Sequence, residues 1–284
     1  MLAGLGLGVG AIIAPRLLRA REMGPFNTYG IEPGGGETDQ TAMLQRAIDA
    51  AAHSGTTLFI PAGIYSTRRL TLKSGTHIKG VPGRTILRAR GGGSIIKVES
   101  AHNMRLSGLI LDGNHQTLGV DGALLVADDV SGLDISECRF IRSNEDGIAL
   151  QCVSGRIAGC TMSRIGGTAL SSVECCDLAI MANTIEHTAT GLSLSGAPDN
   201  SSVVAKGNVI HDLFMRKMLP HSGVGIVVDC GAVIRDNVID GAPAYGIRIA
   251  GDRQHVRVTG NSIRNAFIDI ASINEPLFRS GGEA

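Results

Sequence analysis

"VSGLDISECRFIRSNEDGIAL", residues 130–150, decides the fold, because its parts return along the chain with different polar letters. A slot followed two residues later by an aliphatic or aromatic residue recurs as Cys138-Arg-Phe, Cys160-Thr-Met, Asn183-Thr-Ile, Asn208-Val-Ile, Asn237-Val-Ile and Asn261-Ser-Ile. Successive slots are 22, 23, 25, 29 and 24 residues apart. Before each slot lies a strand-like run such as "AVIRD" or "VRVTG"; after it comes a second phrase, "DGIAL", "GTALS", "TGLSL", "VGIVV" or "YGIRI". Each repeat therefore holds three short strands and three turns, too little to fold alone and enough to stack. Leucine-rich repeats share the period, but their L-x-x-L-x-L-x-x-N run is missing.

Composition agrees with a stack of short strands. Of 284 residues, 39 are Gly, none is Trp and 3% are aromatic, so small and branched aliphatic side chains must fill the interior. Lys+Arg and Asp+Glu are 26 each, and no block of like charge occurs, which argues against bulk attraction to nucleic acid or an anionic membrane. An inward Asn at the slot can donate to and accept from the turns above and below it, satisfying groups otherwise buried unpaired. Cys138 and Cys160 fill the same slot as small apolar residues, and with Cys152, Cys175, Cys176 and Cys230 they show no C-x-x-C pair, so all six read as free thiols. The fold class predicted is all-β, a single-stranded right-handed parallel β-helix with an N-terminal capping α-helix.

Ahead of the repeats, Leu44, Ala47, Ile48 and Ala51 fall on one helical face, with Thr38 or Asp39 to cap the start and Gly55 to end it. Residues 57–60 read as a strand and Pro61-Ala62-Gly63-Ile64-Tyr65 as a turn into the next. This run resembles the first segment of pectate-lyase-like right-handed β-helix proteins, in which a D-x-T-x-x-hydrophobic-x-x-A-I helix precedes a P-x-G-x-Y strand. In that family the helix covers the open end of the stack, whose bare strand edges would otherwise invite aggregation. Helix, strand and repeats together look like the pectin-lyase-like superfamily over about residues 30–275.

Residues 1–25, apolar and Gly-rich to Ala14 and then basic at Arg16, Arg19 and Arg21, read as a truncated export leader or as a short surface leader; the apolar run is too short for a stable membrane span. Leader and repeats together are similar to an uncharacterised family of twin-arginine-translocated repeat proteins, which implies a periplasmic or secreted protein. The division is then a leader over 1–25, the β-helix domain over 26–275 (cap helix about 39–54, repeats about 76–273) and a tail over 276–284.

The superfamily hosts many activities on one scaffold, so function must be argued from a site. Its usual substrate groove runs over the sheet of "GIxL" strands. Aligning these on their Gly puts Asp121, Asp146, Gly166, Thr190, Val224 and Tyr245 in one outward column. A second column holds Ala149, Ala169, Ser193, Val227, Arg248 and Asp269, and a third holds Gln151, Ser171, Ser195, Asp229, Ala250 and Ala271. In that register Asp121 and Asp146 sit about 5 Å apart, where like charges raise one pKa and make an acid/base pair. Asn144-Glu145-Asp146-Gly147 also resembles the N-T-D-G phrase of polygalacturonases, whose Asp acts in hydrolysis, although the paired Asp, the G-H-G and the Lys after Arg248 are missing. The Ca²⁺-binding acidic cluster of pectate lyases is not matched either, which leaves the cofactor unknown, with Ca²⁺ a possibility. The bland alternative is that Asp-Gly turns the chain through left-handed backbone.

Two further features stand out. Glu186, His211 and Asp240, three residues past their slots, form a weak metal candidate; on a solvated sheet face such residues are more often solubility groups. The longest interval inserts "LFMRKMLPHSG", whose Arg216, Lys217 and His221 could meet carboxylates of an acidic sugar chain. The sequence thus predicts a protein that acts on or binds polysaccharide. As an enzyme it would be a lyase or hydrolase with Asp121, Asp146 and Arg248 in catalysis and Asn144, Gln151, Arg216, Lys217, His221, Asp229 and Tyr245 on the substrate. The alternative is a non-catalytic glycan- or cofactor-binding, or structural envelope, repeat protein.

Overall fold

A computed structural model describes residues 29–196, 202–217, 219, 222–250 and 253–273. The leader, the 276–284 tail and His221 lie outside the described residues. Three parallel β-sheets wind around a common core, each contributing one strand per rung, with nine rungs among the described residues. All strand pairings are parallel and join a strand to its counterpart on the next rung.

The first sheet includes Thr57–Phe59, His77–Lys79, Leu178–Met181 and Ala232–Arg235; the second includes Gly63–Thr67, Arg139–Ser143, Val209–His211 and Val238–Asp240; the third includes Leu70–Leu72, Val224–Asp229 and Tyr245–Ala250. Longer strands turn a corner between sheets: Asp146–Ala158 passes from the third sheet into the first, and Thr161–Val173 from the second into the third.

Inward side chains stack in files: Ile135, Ile157 and Ile180 in the first sheet, Phe140, Met162 and Ile185 in the second, and Ile148, Leu170 and Leu192 in the third. All of these are buried. The Asn slot works as the sequence predicts. Asn208 Oδ1 accepts from the Asn183 N–H and from Asn183 Nδ2 (both 3.0 Å), while its Nδ2 donates to the Ile180 carbonyl and to Asn237 Oδ1 (both 2.9 Å). Asn237 and Asn261 continue the same exchange. The six cysteines are free, four of them buried.

One helix, Thr41–Ser54, closes the N-terminal end, burying Leu44, Ala47, Ile48 and Ala51 and stopping at Gly55 in left-handed backbone. Asp39 Oδ1 takes the first helical N–H, that of Thr41, at 3.0 Å. The Gly of the "GIxL" phrases has a steric reason. A Cβ at Gly147, Gly191, Gly225 or Gly246 would stand against the carbonyl oxygen of Ala169, Gly225, Gly246 or Asp269, closer than van der Waals contact allows.

Candidate functional site

The columns of the third sheet follow from the strand register, and they correct the alignment made on glycines. Asp146 pairs with Ala123, not Asp121, and Thr190 with Thr168, not Gly166. The first column is therefore Ala123, Asp146, Thr168, Thr190, Val224, Tyr245 and Ile268. It is not the outward column the sequence predicts: it precedes the inward Ile148, Leu170 and Leu192 by two residues and so shares their face, with Ala123, Thr190 and Val224 buried and Asp146 half-buried where its strand begins. The second is Lys97, Val126, Ala149, Ser171, Ser193, Val227, Arg248 and Ala271. The third is Glu99, Asp128, Gln151, Val173, Ser195 and Asp229. Ala169 and Asp269, like Asp121 and Gly166, lie two residues out of the expected register.

Asp121 and Asp146 consequently do not form the expected pair. Asp121 ends a short 3-10 turn, Gly119–Asp121, and Gly122 after it is left-handed at φ 59. Its Oδ2 accepts from the Ser94 N–H (2.9 Å) and from Arg69 (3.2 Å), and its side chain is only 7% exposed. Burial acts to raise its pKa, but the Ser94 N–H, Arg69 and Lys97 outweigh burial and hold the carboxyl below the usual value. Such a group stays ionised and anchors a turn.

Asp146 is aimed the other way along the axis. Its Oδ1 accepts the Thr168 N–H at 2.7 Å, and its own N–H donates to the Gly122 carbonyl at 2.9 Å. Burial pushes its carboxyl up from 3.8, and neighbouring Glu145 adds to the rise; the Thr168 N–H and the Arg216 guanidinium pull back, leaving it at about 6. Neither Asp146 nor Gly147 is among the residues with positive φ; left-handed backbone falls instead at Arg142 and at Gly122. The turn explanation therefore holds for Asp121-Gly122 and fails for Asp146-Gly147, which starts a strand.

The rest of the Asn144–Gly147 phrase is tied to neighbouring turns. Asn144 Nδ2 donates to the His115 carbonyl (2.7 Å), and Glu145 Oε2 accepts the Leu118 N–H (2.9 Å). Asn144 is thus a brace for the turn below. The inserted loop returns along the stack: the Phe214 N–H donates to Thr188, and Arg216 Nη1 donates to the carbonyls of Asn144 (2.9 Å) and Gly166 (2.8 Å). This bolts the guanidinium over the turns that flank Asp146. Lys217 is exposed beside it.

Tyr245 and Arg248 lie four rungs from Asp146, about 19 Å along the axis at ~4.8 Å per rung. Arg248 therefore cannot share one reacting bond with Asp146. Gln151 and Asp229 stand in the third column, on rungs further apart than a single sugar. Sequence reasoning missed Lys97 and Thr168. Placing "IIKVES" as a third-sheet strand would have shown Lys97 facing outward, whereas the Thr168 N–H needed the register.

On the second sheet, Glu186, His211 and Asp240 do fall on successive rungs. His211 Nε2 is 3.7 Å from Glu186, its Nδ1 is 2.9 Å from Asp212, and Asp240 accepts from Asn265 (2.7 Å), so these side chains answer one another. Among the described residues no group of three or more His, Cys, Asp or Glu is placed to hold a metal ion. The residues of the groove do not fit a Ca²⁺ site, since Val126, Ala149 and Val227 occupy its middle column.

Comparison with known proteins fits this architecture. Residues 94–263 match the family described as "Right handed beta helix region", and the chain belongs to that family. It is 38% identical over 109 residues to mannuronan C5-epimerase AlgE1 of Azotobacter vinelandii, a match covering 31% of this chain and 8% of the epimerase. AlgE3 of the same organism matches at the same identity over 6% of its length, so the chain corresponds to only a small part of these relatives. Among solved structures, a tailspike protein mutant of E. coli bacteriophage HK620 in complex with pentasaccharide is 13% identical, with a TM-score of 0.58 over 85% of this chain and 57% of the tailspike. Polygalacturonase from Erwinia carotovora is 14% identical, with a TM-score of 0.53 over 82% and 74%. At these identities the two structures share the fold.

Proposed function

We propose that this member of the right-handed β-helix family binds an acidic polysaccharide along its third sheet and transfers a proton there through Asp146. The observation that carries the reading is a half-buried carboxyl raised to about 6, at the start of a third-sheet strand and beside a fixed guanidinium. A group with that pKa both takes and gives a proton near neutral pH. A uronate residue offers chemistry to match: removal of the proton next to its carboxylate becomes feasible when a cation neutralises that carboxylate. Arg216 is placed for that role, with Lys97 two rungs away, about 10 Å, and Arg248 at about 19 Å as cations for flanking sugars.

Hydrolysis needs two carboxyl groups about 5–9.5 Å apart across the bond. With Asp121 fixed to Arg69 and Ser94, the pair the sequence offered is gone. Proton transfer without hydrolysis, as in elimination or epimerisation, is the reading we prefer. The similarity to proteins named mannuronan C5-epimerases supports it. A non-catalytic binding role is the second reading, favoured by the small and apolar middle column of Val126, Ala149, Ser171, Ser193 and Val227.

The test is incubation of the purified protein, with and without Ca²⁺, with a panel of uronate and neutral glycans. Unsaturated uronate ends, new reducing ends and solvent exchange at the uronate C5 proton are recorded. Elimination or exchange that disappears in Asp146→Asn establishes the proposal. Binding without any of the three signals turns it into the second reading, and neither binding nor turnover refutes both.

A further inference from the structure

The second sheet carries a cleft of about 550 Å³ that the reading above leaves unused, lined chiefly by Arg139, Arg142, Ser163, Arg164, Glu186 and His187. Ile141, Ser163 and Glu186 occupy successive rungs, so Arg142, Arg164 and His187, one residue further on, form a column of their own. All three have left-handed backbone, with φ of 57, 56 and 51. Glycine adopts that conformation without strain and does so on a later rung at Gly241. Large side chains are therefore held where a small residue would be easier, and two of them are arginines on adjacent rungs.

The local charge is not balanced. Arg142 is fixed by the buried Asp112, its Nε donating to Oδ1 at 2.9 Å and its Nη2 to Oδ2. Asp112 also faces Arg88 at 3.4 Å, so one carboxylate serves two cations. Arg139 and Arg164 are exposed and have no ion pair or hydrogen bond among the described residues. Glu186, the single carboxylate among the described residues lining the cleft, lies 3.7 Å from His211 Nε2. At the floor, the Ser163 side chain, in a residue only 8% exposed, has no hydrogen-bond partner among the described residues. In a chain of zero net charge this is a concentrated positive site with a hydroxyl beneath it.

We propose that this cleft is a carboxylate-binding subsite for uronate units of an acidic glycan, on a different face from Asp146. Arg139 and Arg164 supply forked N–H donors, Arg142 a pre-ordered guanidinium and Ser163 a hydroxyl. A bound carboxylate answers the unpaired Arg139 and Arg164 and the Ser163 hydroxyl together, beside the guanidinium that Asp112 holds in place. The site takes its ligand from the acidic-glycan reading but does not depend on proton transfer.

The test follows the arginine Nε–Hε NMR signals of the full chain while mannuronate or galacturonate hexamers are added, with sodium sulfate as the free-anion arm and sodium chloride holding ionic strength constant. The hexamers should shift Arg139 and Arg164, and Arg139→Gln with Arg164→Gln should weaken hexamer binding at least about tenfold while circular dichroism stays unchanged. Hexamers that bind the double variant equally well and perturb only third-sheet residues overturn the subsite and leave the groove intact. A response to sulfate without one to hexamers means an adventitious ion only and overturns it too. Absence of hexamer binding to the parent chain removes both this subsite and the acidic-glycan reading.

Discussion

Asp146→Asn should make the protein more stable at pH 8 while abolishing the proton transfer proposed for this residue. The carboxyl titrates at about 6 in the folded chain against 3.8 ordinarily. Below pH 3.8 folded and unfolded chains both hold the proton and the group contributes nothing to the balance. Between 3.8 and 6 the unfolded chain gives up its proton first, so stability falls as pH rises; above 6 the loss is complete. At about 1.4 kcal/mol per pH unit, that loss is ~3 kcal/mol. Asparagine is nearly isosteric and keeps an oxygen for the Thr168 N–H, which now donates at 2.7 Å, so the variant escapes the burial of charge without losing the bond. At roughly 2–4 °C per kcal/mol for a chain of this size, calorimetry should find the variant melting ~6–12 °C higher than the parent at pH 8, and at the same temperature at pH 3.5. Carboxyl-carbon NMR on the parent should report the midpoint near 6. If the variant is instead less stable at pH 8, Arg216 holds the ionised carboxylate as a favourable ion pair, and a proton donor poised near neutrality is ruled out.

Three other substitutions or labels probe neighbouring parts of the structure. Asn208→Leu leaves the Asn183 N–H and the Ile180 carbonyl unpaired in the core, so urea denaturation should show a loss of about 2–6 kcal/mol, larger than for Asn261→Leu near the more open end; equal losses would deny the ladder its buried character. Arg216→Ala removes a cation that lowers the Asp146 pKa, so the carboxyl midpoint should move above 6; an unmoved midpoint takes Arg216 away from the site. Thiol labelling of the native protein should modify the exposed Cys152 and Cys176, and reach Cys138, Cys160, Cys175 and Cys230 only on unfolding, since burial pushes those four thiols to about 11–12.

Much of this architecture is legible in the sequence because stacking repeats the same environment on every rung. Asn183, Asn208, Asn237 and Asn261 each accept at Oδ1 from the backbone N–H of the slot residue one rung earlier, so one explanation serves all four. The four apolar residues of the cap helix likewise have one face to cover and no alternative period to follow. The groove is less legible. The resemblance to the N-T-D-G phrase points Asn144 at substrate, whereas in the fold its side chain donates to the His115 carbonyl and braces that turn. The arginine column at 142 and 164 is not legible in the sequence, because nothing in the linear pattern marks left-handed positions occupied by large side chains.

The rung, its length, its inward aliphatic files, the Asn ladder and the helix over the N-terminal end were determined by the sequence alone, since each follows from a periodic pattern that local chemistry enforces. Which polar residues share a column was decided only by tertiary structure. Side chains alternate with period two along a strand, so shifting a strand by two residues leaves every apolar group facing inward. The 3-10 turn at 119–121 and the corner at 166–167 absorb such a shift, and hydrophobicity carries no sign of it. That hidden freedom separates Asp121 from Asp146, leaving one fixed by Arg69 and the other raised to about 6 beneath Arg216.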